Sequence, residues 1–185
     1  MRVVILGTGA LGCLFAARLA AHAEVWMLGT WVDGVTAVRQ GGIRVEESDH
    51  TWFATVCVAD DPAVVTSADV ALVLVKSYQT ERAATWAVQV LAHDGLAVTL
   101  QNGLDNGPRL AATVGNERVA IGVTFEGATL IGGATASVAG RLTAFASLLR
   151  KAGFDVHLVS EVEGMLWGKA VVNAAINPLT ALWRV

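Results

Sequence analysis

The chain has 185 residues, a formal net charge of −3 and a hydrophobic content of 54%, to which 19 glycines are added. That length holds one full domain and part of another. The apolar share exceeds the roughly 45–50% usual for a comparable set, as a sheet buried on both faces or a surface meant for a partner would require. Like charges form no block, which excludes the basic stripe of a nucleic-acid binder, and no apolar run reaches the roughly eighteen residues of a membrane span. Cys13 and Cys57 are too few and too far apart for a disulfide framework or a zinc site. His22, His50, His93 and His157 form no metal-spaced pair, so no metal site is expected.

The first stretch, MRVVILGTGALGCLFAARLAAHA, imitates a secretory signal, but Arg18 and the glycines break the apolar core that such a signal needs. Two lone thiols fit a reducing compartment, and the expectation is a cytoplasmic protein. RVVILG (2–7) is a short apolar run ending in Gly, the pattern of a strand buried on both faces. ALGCLFAARLAAH (10–22) turns helical, AEVWMLG (23–29) reads as a second strand, and a helix over 32–40 stops at Gly41-Gly42. GIRVEE and TWFATVCV, separated by Ser48-Asp49-His50, read as a hairpin. VALVLVK (70–76) is a buried strand and QTERAATWAVQVL (79–91) a helix. LAVTLQNG (96–103) is a strand and turn, RLAATVG a short helix with Pro108 in its first turn, and RVAIGVTF (118–125) a strand. GRLTAFASLLRKAG (140–153) is an amphipathic helix, FDVHLVS (154–160) a strand, and a last helix starts near Glu161. Strand and helix alternate almost throughout, which predicts a parallel α/β sheet covered by helices on both faces. The alternation ends around 160–167, the one candidate boundary.

GTGALG (7–12) follows the first strand and opens the first helix. In that context Gly7 permits the tight turn, Gly9 the approach of a pyrophosphate to the backbone, and Gly12 close helix–strand packing. The free N–H groups and partial positive charge of the helix start favour an anion. The spacing predicts a dinucleotide site. Such folds commonly place Asp or Glu at the end of the second strand, on the ribose diol. Here that end reads Gly29-Thr30-Trp31, with no acid before Asp33 and no Arg for a 2′-phosphate, so this position alone predicts a modest preference for NADP.

Lys76 in VLVKSYQT and Asn102 in TLQNGLDN both end strands, at the edge where open α/β sheets bind ligands. Read singly, they are better taken as a solvated strand end and an Asn-Gly turn, and only their shared topological position points to a site. In GKAVVNAAINPLTALWRV (168–185), Lys169, Asn173 and Asn177 recur every four residues on one helical face. Periodicity alone favours a core helix with a snorkelling lysine over a site. Pro178 removes a helical bond and bends the axis, which loosens the face argument for Asn177.

GTGALG, VKSYQT, QNGLDN, GVTFEGA (122–128) and LWGKAVVNAAINPLTAL (166–182) together resemble the 2-dehydropantoate 2-reductase, or ketopantoate reductase, family, in that family's order over nearly the whole chain. The resemblance implies an α/β fold: a Rossmann-type doubly wound, mostly parallel sheet over 1–163, followed over 164–185 by the first helix of an all-helical C-terminal domain. It implies NADPH-dependent reduction of 2-dehydropantoate to pantoate on the way to pantothenate and coenzyme A, with NAD as a possible substitute, a small 2-oxoacid substrate and a possible homodimer. Lys169 falls on the family's catalytic lysine, and Asn173 and Asn177 on its substrate-contacting asparagines. Gly7, Thr8, Gly9, Ala10, Leu11, Gly12, Lys76, Asn102 and Ala128 fall on cofactor-contacting positions.

The sequence departs from the family in three places. The family usually carries an Arg at or near Thr30. It has a further hairpin-like stretch between GVTFEGATL and IGGATASVAG that this sequence lacks near 129–133, which by itself does not decide whether a true deletion lies there. It continues into helices that supply more substrate contacts and a cofactor-contacting Glu, so the 185 residues are expected to bind dinucleotide but to reduce substrate poorly alone. Two other readings stand beside this one: another NAD(P)-dependent hydroxyacid dehydrogenase, and a non-catalytic dinucleotide-binding module.

Overall fold

A computed structural model describes residues 1–125, 128–132 and 138–183. Strand β1 (Arg2–Leu6) leads into helix α1 (Ala10–Leu19), then β2 (Glu24–Leu28) and α2 (Val32–Gly41). β3 (Ile43–Glu46) and β4 (Thr51–Ala54) follow, then β5 (Cys57–Ala59), β6 (Ala68–Val73), α3 (Thr80–Val90) and β7 (Leu91–Thr99). The chain continues through α4 (Asn106–Val114), β8 (Val119–Phe125), β9 (Ala128–Gly132), α5 (Ala139–Lys151), β10 (Asp155–Leu158) and α6 (Glu163–Trp183).

The main sheet runs β10-β9-β8-β7-β6-β1-β2-β5. From β5 to β8 every pairing is parallel. The order reverses between β1 and β6, which are paired to the two sides of the sheet's centre, and this is the switch point where doubly wound sheets open a ligand crevice. β9 runs antiparallel to β8 and adds β10 in parallel register.

Period-2 alternation in β1 builds both layers of the core. Val3 and Ile5 enter one apolar cluster with Phe15, Ala16 and Leu19 of α1 and Phe145 and Leu149 of α5. Val4 and Leu6 enter the other with Ala83, Ala84 and Ala87 of α3 and Leu110 of α4. All four β1 residues are fully buried, which accounts for the unbroken apolar run in the sequence.

Two expectations need correction. TWFATVCV is two strands rather than one: β4 pairs antiparallel with β3, whereas β5 leaves the hairpin and becomes the edge strand beside β2. The break falls at Thr55-Val56, where the hairpin ladder has already ended at Ala54. Strand β7 begins at Leu91 rather than 96, pairing Leu91 with Ala68 before a register irregularity restores the ladder at Leu96. His93 and Asp94 are exposed there and gave the sequence a loop-like look. The segment after β8 contains a strand, β9, that its Gly-rich composition hid. The family stretch expected to be missing near 129–133 would join there, and residues 133–137 lie outside the described residues.

Helix α6 contains Pro178 and has no buried residue. Among the described residues no helix is long and apolar enough to cross a membrane.

Candidate active site

The glycine loop is built by three different constraints. Gly7 has φ +128°, and a Cβ there would stand 3.1 Å from the Leu74 backbone. A Cβ on Gly12 would lie 2.2 Å from the Gly7 carbonyl oxygen, so α1 packs against the turn only without one. Around Gly9 a Cβ would meet nothing within 4 Å. Gly9 is also the residue preceding α1 and carries no side-chain cap. The N–H groups of the first helical turn, around exposed Ala10 and Leu11, therefore point out of an open cradle. Thr8 is buried beneath this loop, against Gly29 at the end of β2.

Lys76 follows β6 and Asn102 follows β7, at the same carboxyl edge as Gly7. Lys76 is exposed and lines a cleft of about 360 Å³ with Gly7, Thr8, Gly9 and Thr30. Asn102 is exposed beside that cleft but is not part of its wall. Its backbone carbonyl accepts from Asn106 Nδ2 (2.8 Å) and Ser77 Oγ (3.3 Å), which ties its loop to that of Lys76.

Beneath both loops lies a buried polar network that sequence reasoning missed. Gln101 Nε2 donates to the Val75 carbonyl (2.8 Å) and to Thr80 Oγ1 (3.0 Å). Thr99 Oγ1 donates to Gln101 Oε1 at 2.9 Å. Thr80 Oγ1 lies 2.9 Å from both Asn106 Oδ1 and the Ser77 carbonyl, to either of which its proton can go. Thr80 and Thr99 are almost wholly buried, as are Asn106 and Gln101. The signal was present as polar residues inside VKSYQT and QNGLDN, but only the fold brings the two segments together.

A second cavity, about 700 Å³, is lined by Thr124 and Phe125 of β8 and by Met165, Gly168, Lys169, Val172 and Asn173 of α6. Lys169 Nζ donates to the Thr124 backbone carbonyl, lies 3.5 Å from Thr124 Oγ1 and stands 5.6 Å from the centre of the Phe125 ring. Burial pushes its ammonium below the ordinary lysine pKa. Asn173, one turn on, is half-buried in the same wall. Asn177, a further turn on, is exposed and outside it, and its carbonyl accepts from Thr180 Oγ1 at 3.0 Å. A third cavity joins Leu11 of the glycine motif to Thr124 and Phe125. The end of β8 is thus shared between the motif helix and the Lys169 cavity. Ala128 opens β9 opposite Phe125 in the ladder, while Glu126 and Gly127 of GVTFEGA lie outside the described residues.

The open Gly9 cradle, the unsatisfied helix start and the switch-point cleft fit a dinucleotide pyrophosphate. Among the described residues no His, Cys, Asp and Glu cluster is gathered for a metal ion. The neutral end of β2 has a neighbour that sequence reasoning did not find: Arg82 of α3 donates from Nη2 to Thr30 Oγ1 at 3.0 Å. The two residues are 52 positions apart, so no local motif records the pairing.

A family model described as "Ketopantoate reductase PanE/ApbA" matches residues 3–147. The 2-dehydropantoate 2-reductase of Halobacterium salinarum is 35% identical over 98% of this chain, and the chain spans 65% of that relative's length. The crystal structure of 2-dehydropantoate 2-reductase from Geobacter metallireducens superposes with a TM-score of 0.89 at 26% identity, covering 100% of this chain and 66% of that one. The ternary structure of D-mandelate dehydrogenase with NADH and anilino(oxo)acetate also superposes with a TM-score of 0.89, at 20% identity and over 100% and 65% of the two chains, a likeness of fold.

Proposed function

The chain belongs to the ketopantoate reductase family, and from that membership we propose that it carries the NADPH-dependent reduction of 2-dehydropantoate to pantoate, on the route to pantothenate and coenzyme A. The observation that carries the reading is the position of Lys169. It is a partly desolvated ammonium held at the carboxyl end of β8, beside the phenyl ring that also faces the motif helix.

The first turn of α1 and the Gly9 backbone bind the pyrophosphate, where the helix dipole and free N–H groups meet the negative charge. Lys76 and Asn102, at the ends of β6 and β7, and Ala128, at the start of β9, would also hold the cofactor. When bound, the reduced nicotinamide supplies the hydride. Lys169 Nζ donates to the substrate's ketone oxygen, stabilises the negative charge that gathers there, and transfers its proton to that oxygen as C2 becomes tetrahedral. The product is a 2-hydroxy acid, and the lysine regains its proton from solvent. The Asn173 amide orients the substrate's carboxylate or hydroxyl, with Asn177 contributing beyond it. The Lys169 cavity excludes part of the bulk water, which strengthens each of these contacts.

We read residues 1–163 as the dinucleotide-binding unit and 164–185 as the start of the substrate-binding helical region. In support, α6 contributes no side chain to either core cluster but supplies Lys169 and Asn173 to the cavity. The test is NADPH oxidation with 2-dehydropantoate beside a panel of other 2-oxoacids. Turnover of 2-dehydropantoate supports the assignment. Turnover of pyruvate-like acids alone moves it to another hydroxyacid dehydrogenase, and binding without any turnover moves it to a dinucleotide-binding module.

A further inference from the structure

The switch-point cleft has an unusual far wall. Where the fold commonly sets a ribose-binding carboxylate, β2 ends in the neutral run Gly29-Thr30-Trp31, and the cleft is closed there by Arg82, Trp86 and Lys76. Arg82 is held on two sides: its Nη2 donates to Thr30 Oγ1 at 3.0 Å, and its guanidinium stands 5.7 Å from the centre of the Trp86 ring, one helical turn on. Those contacts fix its position without neutralising it. Among the described residues Arg82 has no carboxylate within ion-pair distance, and its hydrogen-bond partner Thr30 is neutral.

Its place in α3 is also locally unfavourable. Arg82 is the third residue of that helix, at the positive end of the macrodipole, where a cation is disfavoured unless an anion joins it. A local rule broken at a cleft, with the cation oriented and unpaired, marks a site for a ligand's negative charge. The pyrophosphate already has the Gly9 cradle on the other side of the same cleft. The anion at the β2 end is therefore the one a dinucleotide carries on its adenosine ribose.

We infer that Arg82, steadied by Thr30 and Trp86, is the ligand for the adenosine 2′-phosphate and sets the preference for NADP(H) over NAD(H). The role expected of an arginine after β2 has moved to the first turn of α3. Guanidinium suits a phosphate because its forked N–H groups make paired, charge-assisted bonds, and Lys76 adds a second positive charge to the same cleft. This inference rests on the cofactor reading above, but its test does not require turnover.

NADPH and NADH are titrated into the protein without 2-oxoacid, following nicotinamide fluorescence, and 2′-AMP is compared with 5′-AMP by calorimetry. The wild type should bind NADPH more tightly than NADH and 2′-AMP more tightly than 5′-AMP. Arg82→Gln should weaken NADPH by about tenfold or more, the worth of a charged hydrogen bond, and leave NADH within about twofold. Arg82→Lys should fall between. Thr30→Asp, which sets a carboxylate beside Arg82, should shift preference toward NADH by a separate route if Arg82→Gln folds poorly. Equal losses for both dinucleotides in Arg82→Gln and in Thr30→Asp, or a wild type indifferent to the 2′-phosphate, would overturn the inference. Failure to reduce 2-dehydropantoate with the NADPH preference intact would instead count against the reductase assignment alone.

Discussion

Lys169 Nζ, on α6, donates to the backbone carbonyl of Thr124, the penultimate residue of β8. One of its three N–H groups is thereby spent on orientation and a second is within reach of Thr124 Oγ1 at 3.5 Å, which leaves the third for the cavity that Thr124, Phe125 and Asn173 share with it. A lysine tethered to a strand end, with no carboxylate among the described residues paired to it, is suited to meeting charge that develops on a ligand oxygen. Lys169→Ala should lower turnover by at least about 10²-fold. NADPH affinity, measured by fluorescence titration, should stay unchanged. Equal loss of cofactor binding would remove Lys169 from the chemistry and make it part of the dinucleotide site.

The same burial sets a pH dependence. Desolvation lowers the Lys169 pKa from 10.5, and the protonated form is the one that donates. Turnover should be full below the lowered pKa and decline as pH rises through it, so kcat/KM should show an alkaline limb with its inflection under 10.5. The stability effect has the opposite sense. The folded state disfavours the charge, so the cost of holding it there fades between the folded and unfolded pKa values, and stability rises with pH across that window. Lys169→Arg should remove the limb from the accessible range, because guanidinium does not titrate there. An unchanged limb in that variant would assign it to another group.

The glycine loop separates folding from binding. Gly9 has open space where a Cβ would stand, whereas Gly12 has the Gly7 carbonyl oxygen 2.2 Å away. Gly9→Ala should therefore melt within about 1 kcal/mol of the wild type, as substitutions with no packing conflict do, and yet lose most dinucleotide affinity. Gly12→Ala should destabilise the protein itself by about 1–3 kcal/mol through forced backbone displacement. Thermal melts and NADPH titrations on the pair read the two effects independently. Loss of stability in Gly9→Ala would show that its surface packs against protein rather than ligand.

These contrasts mark what the sequence carried and what it did not. The G-x-G-x-x-G spacing and the apolar run of β1 are local, because a strand buried on both faces and a helix entered through glycine leave their imprint within a dozen residues. The four-residue period of Lys169 and Asn173 was visible as well, but periodicity by itself favoured a core helix, and it was the resemblance to the family that singled the two out. Arg82 at Thr30 was not, because the contact spans 52 positions and depends on how α3 sits against the end of β2. The Gln101–Thr80–Asn106 network was invisible for the same cause. β5 was misassigned because Cys57–Ala59 continues the hairpin's alternation while pairing elsewhere. Periodicity states that a segment is a strand and is silent on its neighbour.

The polar network gives a stability prediction with a functional echo. Thr80 Oγ1 accepts from Gln101 Nε2 and sits 2.9 Å from Asn106 Oδ1, deep under the loops that carry Lys76 and Asn102. Thr80→Val keeps the shape and removes the hydroxyl, leaving buried amide groups without a partner, at a cost of about 1–3 kcal/mol. Chemical denaturation should register that loss. NADPH affinity should fall as well, because Ser77 and Asn102 are positioned through the same bonds. A double variant, Thr80→Val with Asn106→Ala, should lose less than the sum of the two single losses, because both remove the same buried contact. Additive losses would show that the two residues do not act as a unit.

The asparagine pair on α6 discriminates a substrate wall from a simple helical repeat. Asn173 is half-buried in the Lys169 cavity, while Asn177 is exposed one turn further, just before Pro178. An amide that orients substrate in a partly dry cavity is worth more than one in water, where each hydrogen bond is exchanged for another. Asn173→Ala should therefore raise KM for the 2-oxoacid by about tenfold, consistent with the loss of one hydrogen bond to a charged group, and should leave the NADPH Kd as it was. Asn177→Ala should have a smaller effect, within about threefold, because its side chain lacks the enclosing wall that makes the Asn173 contact strong. Steady-state kinetics on both variants decide the matter. Equal effects would mean that substrate binding brings Asn177 into the wall, with the helix bending at Pro178 to do so.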